Sequence, residues 1–172
     1  MSYDLLAFES TAAPRERSAF RAWWTEQSQW TESHGYADPT VSSPSLRQWY
    51  AEITQTYPNM NGPDVNDDEV SDRHTDYSIG TVVIYGAFAW SEAEEVYPLF
   101  RSLAVKHGVG FYDVSGDEGD GEIHFPGDDD LQPPSSGKWR EISAHFRAGT
   151  VQQLLEPAPS LKRSWRDLFR RK

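Results

Sequence analysis

The segment Ser78–Trp90 constrains the fold most. Val82, Ile84, Phe88 and Trp90 alternate with Val83, Tyr85, Ala87 and Ala89, so an extended chain here is apolar on both faces. A strand of that kind needs cover on two sides, which places it inside a sheet. Gly80 beside Ile79 leaves open whether the segment is one strand or a hairpin. Further strands are expected at Tyr3–Phe8, Val109–Val114 and Glu122–Phe125, the last two joined by a Gly-rich acidic connection.

Helical spacing fills the intervals. Phe20, Trp23, Trp24, Gln27 and Trp30 form an aromatic stripe on a helix expected from Pro14 to Trp30. Ser43-Pro44 is an N-cap followed by proline at the first helical position, and this helix should stop at Tyr57-Pro58. Ser91-Glu-Ala-Glu94 reads as a capping box opening a third helix to His107, with Gly108 as its left-handed C-cap. The expected class is α+β: a mainly antiparallel sheet of four to five strands with helices packed on one face, plus a C-terminal helical extension. The chain divides into an acidic domain at 1–126, a Pro-rich linker at 127–137 and a basic extension at 138–172.

Charge sharpens that division. Residues 1–137 carry 24 acidic and 7 basic side chains, whereas residues 138–172 carry 3 acidic and 9 basic ones. A body at −17 repels nucleic acid and favours cationic partners. Within the tail, Leu161, Trp165, Leu168 and Phe169 share one helical face amid Lys162, Arg163, Arg166, Arg170 and Arg171. Such a stripe either docks on the core or serves as an adaptor helix for a partner. No window holds the ~20 apolar residues of a membrane span. Met1–Glu9 lacks a basic leader region, so the chain is expected to be soluble and cytoplasmic.

The chemistry searched for is sparse. With no cysteine, thiolate metal sites, disulfides and a cysteine nucleophile are excluded. Asp64, Asn66 and Asp68 begin like a calcium loop, but Glu69 and Thr75 stand at its sixth and twelfth positions; Asp113, Ser115 and Asp117 fail in the same way at Glu118 and His124. His34, His74, His107, His124 and His145 show no zinc-ligand spacing. There is no nucleophile elbow and no phosphate-cradling glycine loop. No catalytic residue, metal site or cofactor is therefore expected. Trp23, Trp24, Trp30, Trp49 and Tyr50 remain as an alternative, the lining of an aromatic pocket in a small enzyme or ligand-binding domain.

Two acidic loops stand out, at 64–76 and 113–130. Asp64, Asp67, Asp68, Glu69 and Asp72 in the first, with Asp117, Glu118, Asp120, Asp128, Asp129 and Asp130 in the second, are the expected contacts for a basic partner. The strings Arg21-Ala-Trp-Trp-Thr-Glu-Gln-Ser-Gln-Trp30, Tyr57-Pro-Asn-Met-Asn-Gly-Pro63, Asp76-Tyr-Ser-Ile-Gly80, Phe88-Ala-Trp-Ser-Glu-Ala-Glu94 and Lys106-His-Gly-Val-Gly-Phe-Tyr-Asp-Val-Ser115 resemble small bacterial proteins similar to the immunity proteins of polymorphic or contact-delivered toxin systems. The resemblance covers residues 1–126 and carries no catalytic motif. It implies a cytoplasmic, non-catalytic protein that binds and neutralises one cognate toxin.

Overall fold

The computed structural model describes residues 2–62, 71–116, 121–128 and 138–155. Five strands form one antiparallel sheet: β1 Tyr3–Phe8, β2 Asp76–Ile79, β3 Val83–Phe88, β4 Gly110–Asp113 and β5 Ile123–His124. Their order across the sheet is β2-β3-β1-β4-β5. The segment Ser78–Trp90 is thus a hairpin, with Ile79 paired to Ile84 and the Gly80 amide donating to the Val83 carbonyl at 2.8 Å. Its second arm lies inside the sheet, as an apolar strand must. β1 is the central strand, paired to β3 and β4.

The helices are α1 Arg17–Gln27, α2 Pro44–Ile53, α3 Ala93–His107 and α4 Lys138–Leu155. The α+β class is the expected one, but the helices divide between the two faces rather than sharing one. Tyr3, Leu5 and Ala7 of β1 face α2 and α3, joining Trp49, Ile53, Val96, Phe100 and Phe111 in the larger core. Leu6 and Phe8 face the other way, toward Phe20 of α1, Tyr112, Ile123 and Phe125. Period-two alternation in a strand apolar at every position from Leu5 to Phe8 demands this double cover.

The helix ends show which local interactions prevail. Helix α1 starts three residues after Pro14, because the Glu16 carboxylate caps it, accepting from the amides of Ser18 at 3.0 Å and Ala19 at 2.8 Å. Trp30 lies outside α1, in the left-handed region at φ 49°. Ser43 caps α2 and Pro44 opens it. A run of turn hydrogen bonds then carries the chain from Thr54 to Tyr57. The capping box at Ser91 does not form: Trp90–Glu92 is a 3-10 turn, the Ser91 hydroxyl donates to Asp72 at 2.7 Å, and Glu94 pairs with Arg147. Gly108 does close α3, at φ 68°. Gly110 is required sterically, since a Cβ there would lie 2.2 Å from the Phe8 ring.

Helix α4 packs on the 3-10 turn and the start of α3. Phe146 stacks on Trp90 with ring centroids 6.2 Å apart, and Arg147 donates to the Ser91 carbonyl at 2.6 Å and to Glu94 at 2.8 Å. It runs on to Leu155. Residues 129–137 of the linker and the basic stretch 160–172 lie outside the described residues.

Candidate partner-binding surface

The register places one end of every strand on the same side of the molecule: the starts of β1, β2 and β5 and the ends of β3 and β4. The chain enters β2 and makes the β4–β5 connection at this end, one at each edge of the sheet, whereas Asp128 follows β5 at the opposite end. Four strand spacings, about 19 Å, separate those edges.

Of the carboxylates expected to meet a partner, only Asp72 and Asp128 are among the described residues. Asp64, Asp67, Asp68, Glu69, Asp117, Glu118, Asp120, Asp129 and Asp130 lie outside them. Asp72 accepts from Ser91, tying the entry of β2 to the start of α3. Asp128 pairs with Arg15 at 2.7 Å, and the Arg15 guanidinium also sits 4.8 Å above the Phe125 ring. Both bind the fold to itself.

The second loop region also supplies buried carboxylates, which act as struts. Glu122 accepts from the Tyr97 hydroxyl and, at 2.8 Å, from Arg101 Nε, both on α3. Asp113 is fully buried beside Tyr3. Burial first, then the neighbouring Asp113 charge, pushes the Tyr3 phenol well above its ordinary range; burial and Glu122 do the same to Tyr97. Phenols held neutral in this way donate to the carboxylates beside them, and the cluster fastens β4 and β5 onto α3.

The aromatic side chains set out as one pocket do not converge. Trp49 is buried in the larger core, 4.4 Å from Phe100, and Tyr50 packs against that same core. Trp23, Trp24 and Trp30 lie across the sheet, against Phe8, Phe20 and Tyr85. A sheet stands between the two sets, so the five cannot line a single cavity. A depression of about 270 Å³ does lie beyond the end of α1, lined by Glu26, Gln27, Thr31, Glu32, Thr81 and Val82. Its main carboxylate is engaged: Glu32 accepts from the Thr81 amide and hydroxyl and from His34 at 2.6 Å.

Among the described residues, a corner of the α1-side face is left without a covering element. Helix α1 crosses that face diagonally, from Arg17, which donates to the Gly121 carbonyl, to Trp24, which stacks on Tyr85 with centroids 5.9 Å apart. Toward the strand end where the chain enters β2 and leaves β4, this face passes from buried Leu6 and Val83 to half-buried Asp4, Ser78, Tyr85 and Ala87 and exposed Asp76. Asp76, Ala87 and Asp4 form one cross-strand row. The two carboxylates flank Ala87 from the neighbouring strands, about 10 Å apart at normal strand spacing. Asn61 donates to Asp76 at 2.7 Å. Asp4 Oδ1 is screened from water, and the Asp4 carboxylate accepts from the Tyr85 hydroxyl. Burial, then Asp4 and Asp76, raises the Tyr85 phenol above its ordinary range, so the ring stays neutral and a donor.

This surface combines a broad aromatic floor with flanking carboxylates, a composition suited to binding guanidinium or ammonium groups on an apolar scaffold. Sequence reading passed over Asp4, Tyr85 and Ala87 as a site. The signal lay in strand alternation, where Asp4 shares a face with Leu6 and Phe8 but is polar. The chain matches no family model, no curated protein and no solved structure.

Proposed function

We propose that the chain is a non-catalytic binding protein of the immunity type, which neutralises a basic bacterial toxin by covering part of it. The observation that supports this most directly is the row Asp76–Ala87–Asp4 beside Tyr85 and Trp24, at the strand end where the chain enters β2 and leaves β4. Aromatic anchors supply contact area at small entropic cost, while the carboxylates fix orientation and accelerate encounter with a cationic partner. The charge of the body acts in the same direction over a longer range.

The reading is tested on a toxin encoded immediately upstream. Co-expression of the full chain should restore growth, and the purified proteins should associate with a rate that falls steeply as salt rises. Asp76→Lys should slow association roughly tenfold or more, because it reverses a charge at the contact. Absence of any association with neighbour-encoded proteins, or association unaffected by Asp76→Lys and by Tyr85→Ala, would overturn it.

A further inference from the structure

We propose that the depression of about 270 Å³ beyond the end of α1 is a binding site for a small organic cation, a guanidinium or primary ammonium group on a short aliphatic stem. It lies at the hairpin end of the sheet, opposite the row Asp76–Ala87–Asp4, and stands apart from the immunity reading.

The first observation is the chemistry of the walls. Helix α1 contributes Glu26 and Gln27 from its last turn, the following loop Thr31 and Glu32, and the β2–β3 hairpin Thr81 and Val82. Two carboxylates, two hydroxyls and an amide therefore surround one apolar side chain, with no lysine or arginine in the lining. Ligand sites usually hold ~300–1,000 Å³, so a volume at the lower end suits one short-stemmed group rather than a nucleotide. Both glutamates repel an anion. A cation with several N–H donors pairs with them and with the hydroxyl oxygens.

The second is the end of α1. A helix C-terminus carries partial negative charge and favours a basic side chain in its last turn. Helix α1 has none there. It holds the exposed Glu26 instead, a like charge that pairs with no cation among the described residues. Local electrostatics disfavour this arrangement, and a cation in the depression relieves it.

The third is that Glu32 is fixed in place as an anion. Its carboxylate accepts from the Thr81 amide at 3.1 Å, from the Thr81 hydroxyl and from His34 Nε2 at 2.6 Å. Burial acts to raise its pKa, but the Thr81 hydroxyl, His34 and the Thr81 amide outweigh burial and hold the carboxyl below its ordinary value. Gly80 lets the hairpin come this close, since a Cβ there would lie 2.7 Å from Glu32 Oε1. The chain arrives at Thr31 and Glu32 through Trp30, whose left-handed backbone is unfavourable for a bulky residue.

The test uses the full-length, isotope-labelled protein with butylguanidinium and butylammonium as probes. Both should shift the Glu26, Thr31, Glu32, Thr81 and Val82 amides saturably. The groups that face His34 are the Gly35 carbonyl, Glu32, Asp38 and the Tyr36 ring. A bound cation competes with His34 for Glu32, so the probes should lower the midpoint of the His34 titration and bind more tightly above it. Glu26→Gln should weaken binding severalfold and leave the fold intact, because Glu26 is exposed; Thr31→Val serves as a second variant. A blocked Gly-Arg-Gly peptide separates the sources of the cation. Shifts of the same amides assign the site to an arginine side chain of another protein, and shifts with the free probes alone assign it to a free amine or guanidine. Tetramethylammonium, charged but without a donor, should not reproduce the shifts at equal ionic strength. Shifts that do not saturate, that tetramethylammonium reproduces, that survive both variants, or that leave the His34 midpoint unmoved would overturn the inference.

Discussion

Glu122 is held almost wholly out of water, with its side chain 3% exposed, and the Arg101 guanidinium and the Tyr97 hydroxyl answer it. The Coulomb attraction of such a pair is largely offset by desolvation, so its presence says little about net stability; its disruption says more. Arg101→Leu leaves the carboxylate buried without its cation and should cost about 3 kcal/mol, read as a lowered urea midpoint with unchanged slope. The partial exposure of Arg101 lets water replace some of that loss, so a value near the lower end of the usual range is expected. The double variant Arg101→Leu with Glu122→Leu should recover much of it. His34 makes its contribution through its charge state. The Gly35 carbonyl and then Glu32 stabilise its charged form and raise its pKa above 6.5. A raised folded pKa means the contribution is complete below pH 6.5 and is lost as pH climbs through the folded value. Amides of residues 31–36 should therefore exchange faster, beyond the intrinsic pH effect, above that point. The His34 ring signals should titrate above 6.5; a midpoint at or below it would remove the argument.

At the scale of elements, the parts legible in the sequence were those fixed by neighbours a few residues away. β1 runs from Tyr3 to Phe8 as read, Ser43-Pro44 opens α2, and Gly108 closes α3. The parts that were not legible depend on groups distant in the chain. Ser91 looked like a helix cap, but Asp72, brought alongside by the hairpin, takes its hydroxyl. The aromatic stripe of α1 gave no indication of which sheet face it would cover, because α2 and α3 compete for the same apolar strands. The open corner was hidden for the same reason: it exists only because α1 crosses the sheet obliquely. Helix α4 carries its own prediction. Among its described side chains only Ser143 is buried, so the Phe146–Trp90 stack and the Arg147 contacts supply much of its attachment. Phe146→Ala should weaken docking by about 1 kcal/mol. Amide exchange in α4 should then accelerate severalfold while the amides of β1 keep their protection. Equal acceleration in both would show α4 to be part of the cooperative core.

For the molecule as a whole, the governing quantity is the imbalance between 24 acidic and 7 basic side chains in residues 1–137. Like charges at this density oppose compaction, and the opposition is long-ranged. The ion pairs that act against it are mostly at the surface: Arg15–Asp128 at 2.7 Å, Lys106–Glu52 at 2.6 Å and Arg147–Glu94 at 2.8 Å all have at least one partner more than a third exposed. Exposed pairs contribute roughly 0–1 kcal/mol each, and salt weakens them over the same range in which it screens the repulsion. The two effects have opposite signs. Repulsion sums over every pair of carboxylates on the body, whereas attraction is confined to a few contacts at short distance, where screening is least effective. Stability should therefore increase with sodium chloride, with Tm rising by a few degrees between about 0.1 M and about 1 M. The basic segment changes the size of this response without changing its sign, since the complete chain still carries −11. Replacing Arg170, Arg171 and Lys172 by glutamine should enlarge the rise in Tm, because less of the body's charge is then neutralised. A Tm that falls with salt in the unaltered chain would mean that the surface pairs outweigh the repulsion, and that its acidic excess is compensated locally rather than left available to a partner.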